Sequence, residues 1–143
     1  LVGALEGNGH SSDSLVVNDG SGLDPGNLVT CRFMTGLLED TEYGPELLEA
    51  LPVAGQSGTL RERLVGTAAE GRMRAKTGSL RDVVSLVGVV ETLTGRTLAF
   101  AVVTNAEGSG ARVKVLHNRV VLGLVLYPDG PPLELLGPLP VNS

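Results

Sequence analysis

The sequence predicts an α+β fold, an antiparallel sheet with covering helices, and three observations carry that prediction. The stretch Gly71 to Leu80 alternates in character, with Arg72, Arg74 and Lys76 pointing one way and Met73, Ala75 and Thr77 the other. Two apolar runs follow closely, Val83 to Val90 and Leu98 to Val103, joined only by Thr92-Leu93-Thr94-Gly95-Arg96. Connections this short pair neighbouring strands antiparallel, because a parallel pair needs a long crossover. Finally, apolar residues recur at helical spacing both before and after these strands.

Taken in order, Leu1 to Leu5 reads as a helix end closed by Gly7-Asn8-Gly9. Ser12-Asp13-Ser14 reads as a turn leading into a short strand over Leu15 to Asn18. Asp19 to Asn27 holds four Gly-or-Pro positions interleaved with Asp and Ser, the composition of a loop of tight turns. Thr30 is placed to N-cap a helix over 31–39, whose apolar face is Phe33, Met34, Leu37 and Leu38. Pro45 opens a second short helix with Leu47, Leu48 and Leu51, and Pro52 breaks it. Ser57 or Thr59 starts a helical turn through Leu60 and Leu64. Strands are predicted near 71–78, 83–92 and 97–105, the charged first strand at the sheet edge and the apolar second strand inside. After a loop at 107–110, Val113, Leu116, Val120 and Leu124 mark a C-terminal helix over 111–126, and 127–143 is a Pro-rich tail.

At 143 residues and 42% hydrophobic content the chain suits one domain with a sizeable core, built from Leu, Val and Ala because aromatics make up only 3%. A net charge of −5 without a basic cluster argues against nucleic acid as a partner. No apolar run approaches the roughly 18 residues of a membrane span. A single cysteine leaves no internal disulfide, and Cys31, beside the Thr30 cap, reads as a buried inert thiol. His10 and His117 have no partners at metal-ligand spacing and read as surface or satisfied-core residues; Glu46 and Glu49 read as a solvated helix face.

The chemistry gathers at Lys76-Thr77-Gly78-Ser79-Leu80. On a strand edge, the Lys76 ammonium supplies charge, the Thr77 hydroxyl a hydrogen bond, and Gly78 a bare backbone on which a substrate can dock. That combination suits a substrate bearing a carboxylate. Lys-Thr-Gly alone is a weak signal in a chain of this length.

Its surroundings strengthen it. Val17-Asn18-Asp19-Gly20-Ser21-Gly22-Leu23, Gly58-Thr59-Leu60 through Leu80, and the strand pair ending at Asn105 together resemble the C-terminal part of penicillin-binding D-alanyl-D-alanine carboxypeptidases that also act as endopeptidases, peptidase family S13. The resemblance covers most of 15–126 and implies a β-lactamase/transpeptidase-like domain, with 1–126 as the C-terminal portion of its catalytic unit. Lys-Thr-Gly is one signature of the penicillin-interacting serine enzymes. The resemblance implies that Lys76 organises charge and protons around a nucleophile and that Thr77 helps hold the substrate's terminal carboxylate. The backbone N–H of Ser79 would be one arm of an oxyanion hole, with Gly78, Leu80, Ser21 and Leu23 lining the substrate. It implies acyl transfer on a peptidoglycan stem peptide, or acylation by a β-lactam, outside the cytoplasm, without metal or cofactor.

One departure limits the role of this chain. Ser12-Asp13-Ser14 has Ser14 where the Ser-x-Asn signature requires Asn, and neither Ser-x-Asn nor Ser-x-x-Lys occurs in the 143 residues. The chain is therefore expected to carry the Lys-Thr-Gly strand without the nucleophile, to need an N-terminal half of the catalytic domain as partner, and to be inactive alone. The nearest rival is a serine β-lactamase or esterase of the same superfamily. A rival of another class is a non-catalytic binding module that keeps the fold.

Overall fold

The computed structural model describes residues 15–40, 42, 44–105 and 110–130. The elements run α1 (Cys31–Glu39), α2 (Gly44–Ala50), a 3-10 turn (Gly58–Leu60), β1 (Met73–Ser79), β2 (Val83–Glu91), β3 (Thr97–Asn105) and α3 (Gly110–Val125). The strands form one antiparallel sheet in the order β1-β2-β3, so the apolar strand is central and the Lys-Thr-Gly strand lies at an edge, as the sequence predicts.

The sheet has two unlike faces because alternate residues point opposite ways. Met73 and Ala75 of β1, Leu86 and Val90 of β2 and Phe100 of β3 are buried together with Leu60, Leu64, Val121 and Val125. This face is covered by α3 and the 54–69 segment. Leu60 is fully buried, and truncating such a side chain to Ala costs about 2–5 kcal/mol. The opposite face carries Arg74, Lys76, Val87 and Val89 and is only partly covered, by α1 against β2 and β3. β2 is thus sealed on one face and half-covered on the other.

Helix α1 has the predicted bounds, and Thr30 Oγ1 accepts from the Phe33 N–H at 3.2 Å. Losing such a cap costs about 1 kcal/mol. Four expectations are corrected. Residues Leu15 to Asn18 form no strand; Val16 makes an isolated bridge to Leu28, because the turns of 19–27 fold back at once. Cys31 is exposed, as are its neighbours Thr30 and Arg32 at the start of α1, and burial along the helix comes only at Leu38. Leu51, expected within the second helix, lies just past the end of α2 and is buried, while Leu47 on α2 is exposed. The buried line of α3 is Val113, His117, Val121 and Val125, with Leu116 and Val120 exposed. A histidine in the inward line disguised it, and the stripe read from sequence lies about 100° round the helix. The helix end at 1–5, the Ser12-Asp13-Ser14 turn, most of the 107–110 loop and the tail beyond Gly130 lie outside the described residues.

Candidate active site

The site is an edge of β1 left open by a neighbour that stops short. The segment 52–54 runs beside β1: the Ala54 N–H donates to Met73 O at 2.9 Å and the Ala75 N–H to Pro52 O at 3.0 Å. On a strand, alternate residues turn both N–H and C=O to the same side. Met73 and Ala75 therefore face outward, and so by parity do Thr77 and Ser79, while Arg74, Lys76 and Gly78 bond inward to β2. Pro52–Ala54 covers only the first two outward positions. Beyond Ala75 the edge is free of this neighbour, and the backbone groups of Thr77 and Ser79 face out from the sheet.

The side chains follow the same parity. Gly78 stands opposite Ser85 and shares its face with Lys76, while Thr77 and Ser79 project to the α3 side. Lys76 is exposed, and its Nζ donates to Thr77 O at 2.6 Å, curling over the outer edge of its own strand. Thr77 Oγ1 donates to Thr59 Oγ1 at 3.1 Å. A Cβ on residue 78 would meet Ser85 Oγ, the end of a side chain that would have to rotate aside.

Facing this edge is the loop 19–28, organised on the Asp19 carboxylate. Ser21 Oγ donates to Oδ2 at 2.6 Å, while the Gly22 N–H at 3.1 Å and Asn27 Nδ2 at 2.8 Å donate to Oδ1. Asn27 Oδ1 in turn accepts from the Asn18 N–H at 2.8 Å, and the Val16–Leu28 bridge closes the base. The Ser21 and Asn27 hydrogen bonds hold the Asp19 carboxyl below its usual range. A carboxylate so satisfied is a poor base, so Ser21 is tied into the loop and not activated by its neighbour. Gly22 has φ +74, which the turn requires and other residues resist.

Between edge and loop lies an open cleft of about 550 Å³. It brings together all seven residues singled out from the sequence: Lys76, Thr77, Gly78, Ser79 and Leu80 on one wall, Ser21 and Leu23 on the other. Sequence reasoning missed its floor, Ser85, Val103 and Asn105, and the side contributed by Met34 of α1. Those residues reach the cleft only through strand pairing and the docking of α1, and no local motif marks them. Among the described residues no group of three or more His, Cys, Asp or Glu could hold a metal ion.

The cleft can therefore take an anion beside an ammonium and a hydroxyl, with an edge N–H near a reacting carbonyl. An edge strand bringing Lys-Thr-Gly into a cleft is the layout of a penicillin-interacting serine peptidase. The model of the D-Ala-D-Ala carboxypeptidase 3 (S13) family matches residues 1–121, and the chain belongs to that family. It is 43% identical over 138 residues to a D-alanyl-D-alanine carboxypeptidase of Actinomadura sp. (strain R39), covering 89% of this chain but 25% of that protein. It is 35% identical over 100 residues to the D-alanyl-D-alanine carboxypeptidase DacB of Haemophilus influenzae, covering 66% of this chain and 21% of that one. The chain thus spans about a quarter or less of these two relatives. Among solved structures, penicillin-binding protein 4 (DacB) from Haemophilus influenzae superposes with a TM-score of 0.79 at 28% identity, over 87% of this chain and 30% of that one. The same protein has been solved in complex with a β-lactam, with a TM-score of 0.71, 27% identity and coverage of 84% and 31%. A predatory endopeptidase of Bdellovibrio bacteriovorus shares the fold, with a TM-score of 0.72 at 23% identity, over 92% of this chain and 37% of that one.

Proposed function

We propose that this chain is the carboxylate-binding and carbonyl-polarising part of a serine-type D-Ala-D-Ala carboxypeptidase or endopeptidase that acts on peptidoglycan peptides outside the cytoplasm. The observation that carries the reading is the open half of β1: past Ala75 the strand turns the N–H groups of Thr77 and Ser79 outward, beside Lys76, on the wall of the cleft.

In this reading a serine oxygen attacks the carbonyl carbon of the D-Ala-D-Ala amide. The carbonyl oxygen gains negative charge, the terminal D-Ala leaves with a proton on its nitrogen, and water later hydrolyses the acyl-enzyme. The Ser79 N–H donates to the oxyanion as it forms, in a geometry set before reaction. The Thr77 hydroxyl donates to the terminal carboxylate. The Lys76 ammonium offsets its charge and helps move the proton that leaves the nucleophile. Ser79 has no Lys three residues on, so its Oγ is not assigned as that nucleophile. Ser-x-x-Lys is absent from the 143 residues, so the nucleophile belongs to another part of the parent protein. A β-lactam, which carries a carboxylate beside a strained amide, would occupy the same edge.

The test is Lys76→Ala in the full-length parent. Lys76 is exposed, so packing is little affected, whereas losing one transition-state group costs about 2.7–4 kcal/mol, or ~10²–10³ in rate. Stopped-flow acylation by penicillin is expected to slow by that factor with the melting temperature unchanged. A rate within a few-fold of wild type would remove Lys76 from the reaction.

A further inference from the structure

We propose that Thr59 is a positioning residue for Thr77, a second hydroxyl that takes over when substrate claims the first. The inference rests on the assignment of Thr77 to the substrate carboxylate.

Thr59 sits on the Gly58–Leu60 turn, where the chain leaves the β1 edge that Pro52–Ala54 covers. The turn is firmly built. Leu60 is fully buried in the core, and its carbonyl accepts from the Gly55 N–H at 2.9 Å. Ser57 Oγ accepts from the Val53 N–H at 2.9 Å. Gly58, at φ +51, lies against the Pro52 ring, where a Cβ would come within 3.0 Å of Cγ. These ties place the Thr59 hydroxyl 3.1 Å from that of Thr77, the first residue on the open part of the edge.

A hydroxyl has one proton to give and can accept twice, and an ionised carboxylate only accepts. With Thr77 donating to Thr59, the single Thr77 proton is engaged. A carboxylate arriving at Thr77 needs that proton. Thr59 is exposed and can rotate its own proton onto Thr77 Oγ1, so the pair becomes a chain running from Thr59 through Thr77 to the carboxylate. The Thr77 oxygen stays satisfied and its proton is aimed outward, and hydrogen bonds in such a chain polarise one another. Thr59 touches no substrate in this account and acts only through Thr77.

The test uses the full-length parent with two acyl-donor thioesters that are identical except at the end, one a free carboxylate and the other its neutral amide. Removing one supporting hydrogen bond by Thr59→Val is expected to lower kcat/KM on the carboxylate substrate about five- to tenfold. The amide substrate should stay within about twofold, since no group that meets it is lost. Thr59→Ser, which keeps the hydroxyl, should restore the carboxylate substrate. In a Thr77→Val background Thr59→Val should add nothing, because the chain is already cut. Equal losses on both substrates would mean that Thr59 merely holds the turn, and the relay would be wrong. A normal Thr59→Val beside an impaired Thr77→Val would overturn the relay and leave the carboxylate assignment standing. If Thr77→Val itself fails to distinguish the two substrates, the assignment and the relay fall together.

Discussion

Gly78 and Ser85 face each other across the β1–β2 ladder so closely that Ser85 Oγ occupies the space a Cβ on residue 78 would take. The Ser85 hydroxyl can rotate away, at the expense of its position on the cleft floor. Gly78→Ala is therefore expected to cost little, under about 1 kcal/mol, and Ser85→Ala should recover most of that loss. Gly88→Ala offers a contrast, because its Cβ would meet the backbone of Arg74 and Ala75, which cannot rotate away. It should cost more than Gly78→Ala and resist rescue. Denaturant melts of the single and double variants check both points; strictly additive effects of Gly78→Ala and Ser85→Ala would contradict the contact.

The parity of β1 predicts an alternating pattern of amide exchange. Lys76 and Gly78 turn their N–H groups into the sheet and should exchange slowly, while Thr77 and Ser79 should exchange fast. Ala75 also faces outward but donates to Pro52 O, so it should be protected. Val84 to Val89, on the central strand, should be the slowest of all. Hydrogen exchange read residue by residue by NMR settles this, and a Ser79 amide as slow as that of Gly78 would show that the edge is closed.

His117 predicts a pH dependence. It is fully buried on α3, with Nε2 3.0 Å from Thr104 Oγ1, and its Nδ1 has no hydrogen-bond partner among the described residues. Burial first, and then the Arg63 charge, hold its pKa below the ordinary histidine value. The unfolded chain takes up the proton at that ordinary value, while the folded chain resists it. The neutral imidazole thus contributes stability above the unfolded pKa, and this contribution drains away as pH falls through it. Denaturation midpoints should decline as pH falls below the ordinary histidine value of about 6.5, and His117→Gln should shrink that decline. An unchanged slope in the variant would contradict the buried, neutral histidine.

Local signals in this chain were legible where one element carried its own pattern. The Thr30 cap, the alternation from Arg72 to Thr77 and the apolar Val83 to Val90 run each specified an element, and the short connections specified antiparallel pairing. Lys76 to Leu80 and the Ser21–Leu23 turn could be named from sequence because each is contiguous. Signals that depend on the rest of the molecule were not legible. The inward line of α3 passes through His117, so hydrophobicity alone selected the neighbouring stripe. Ser85, Val103, Asn105 and Met34 meet only after three strands and a helix assemble. Thr59 lay within a matching stretch, but its contact with Thr77 spans 18 residues and requires the 52–60 segment to fold back along β1.

The central claim is that the Ser79 N–H, on the open half of β1, stabilises the oxyanion of the acylation step. The most direct measurement replaces Ser79 by its α-hydroxy acid analogue in the full-length parent, turning that one amide into an ester and deleting the N–H while keeping the side chain. The N–H faces out of the sheet, while the same ester weakens the inward-facing Gly78 carbonyl as an acceptor for β2, so the β1–β2 ladder should survive with a small drop in melting temperature. Acylation by penicillin is predicted to slow by ~10²–10³, the loss typical of one oxyanion donor. A rate within a few-fold of the natural amide, in a protein shown to be folded, would contradict the account.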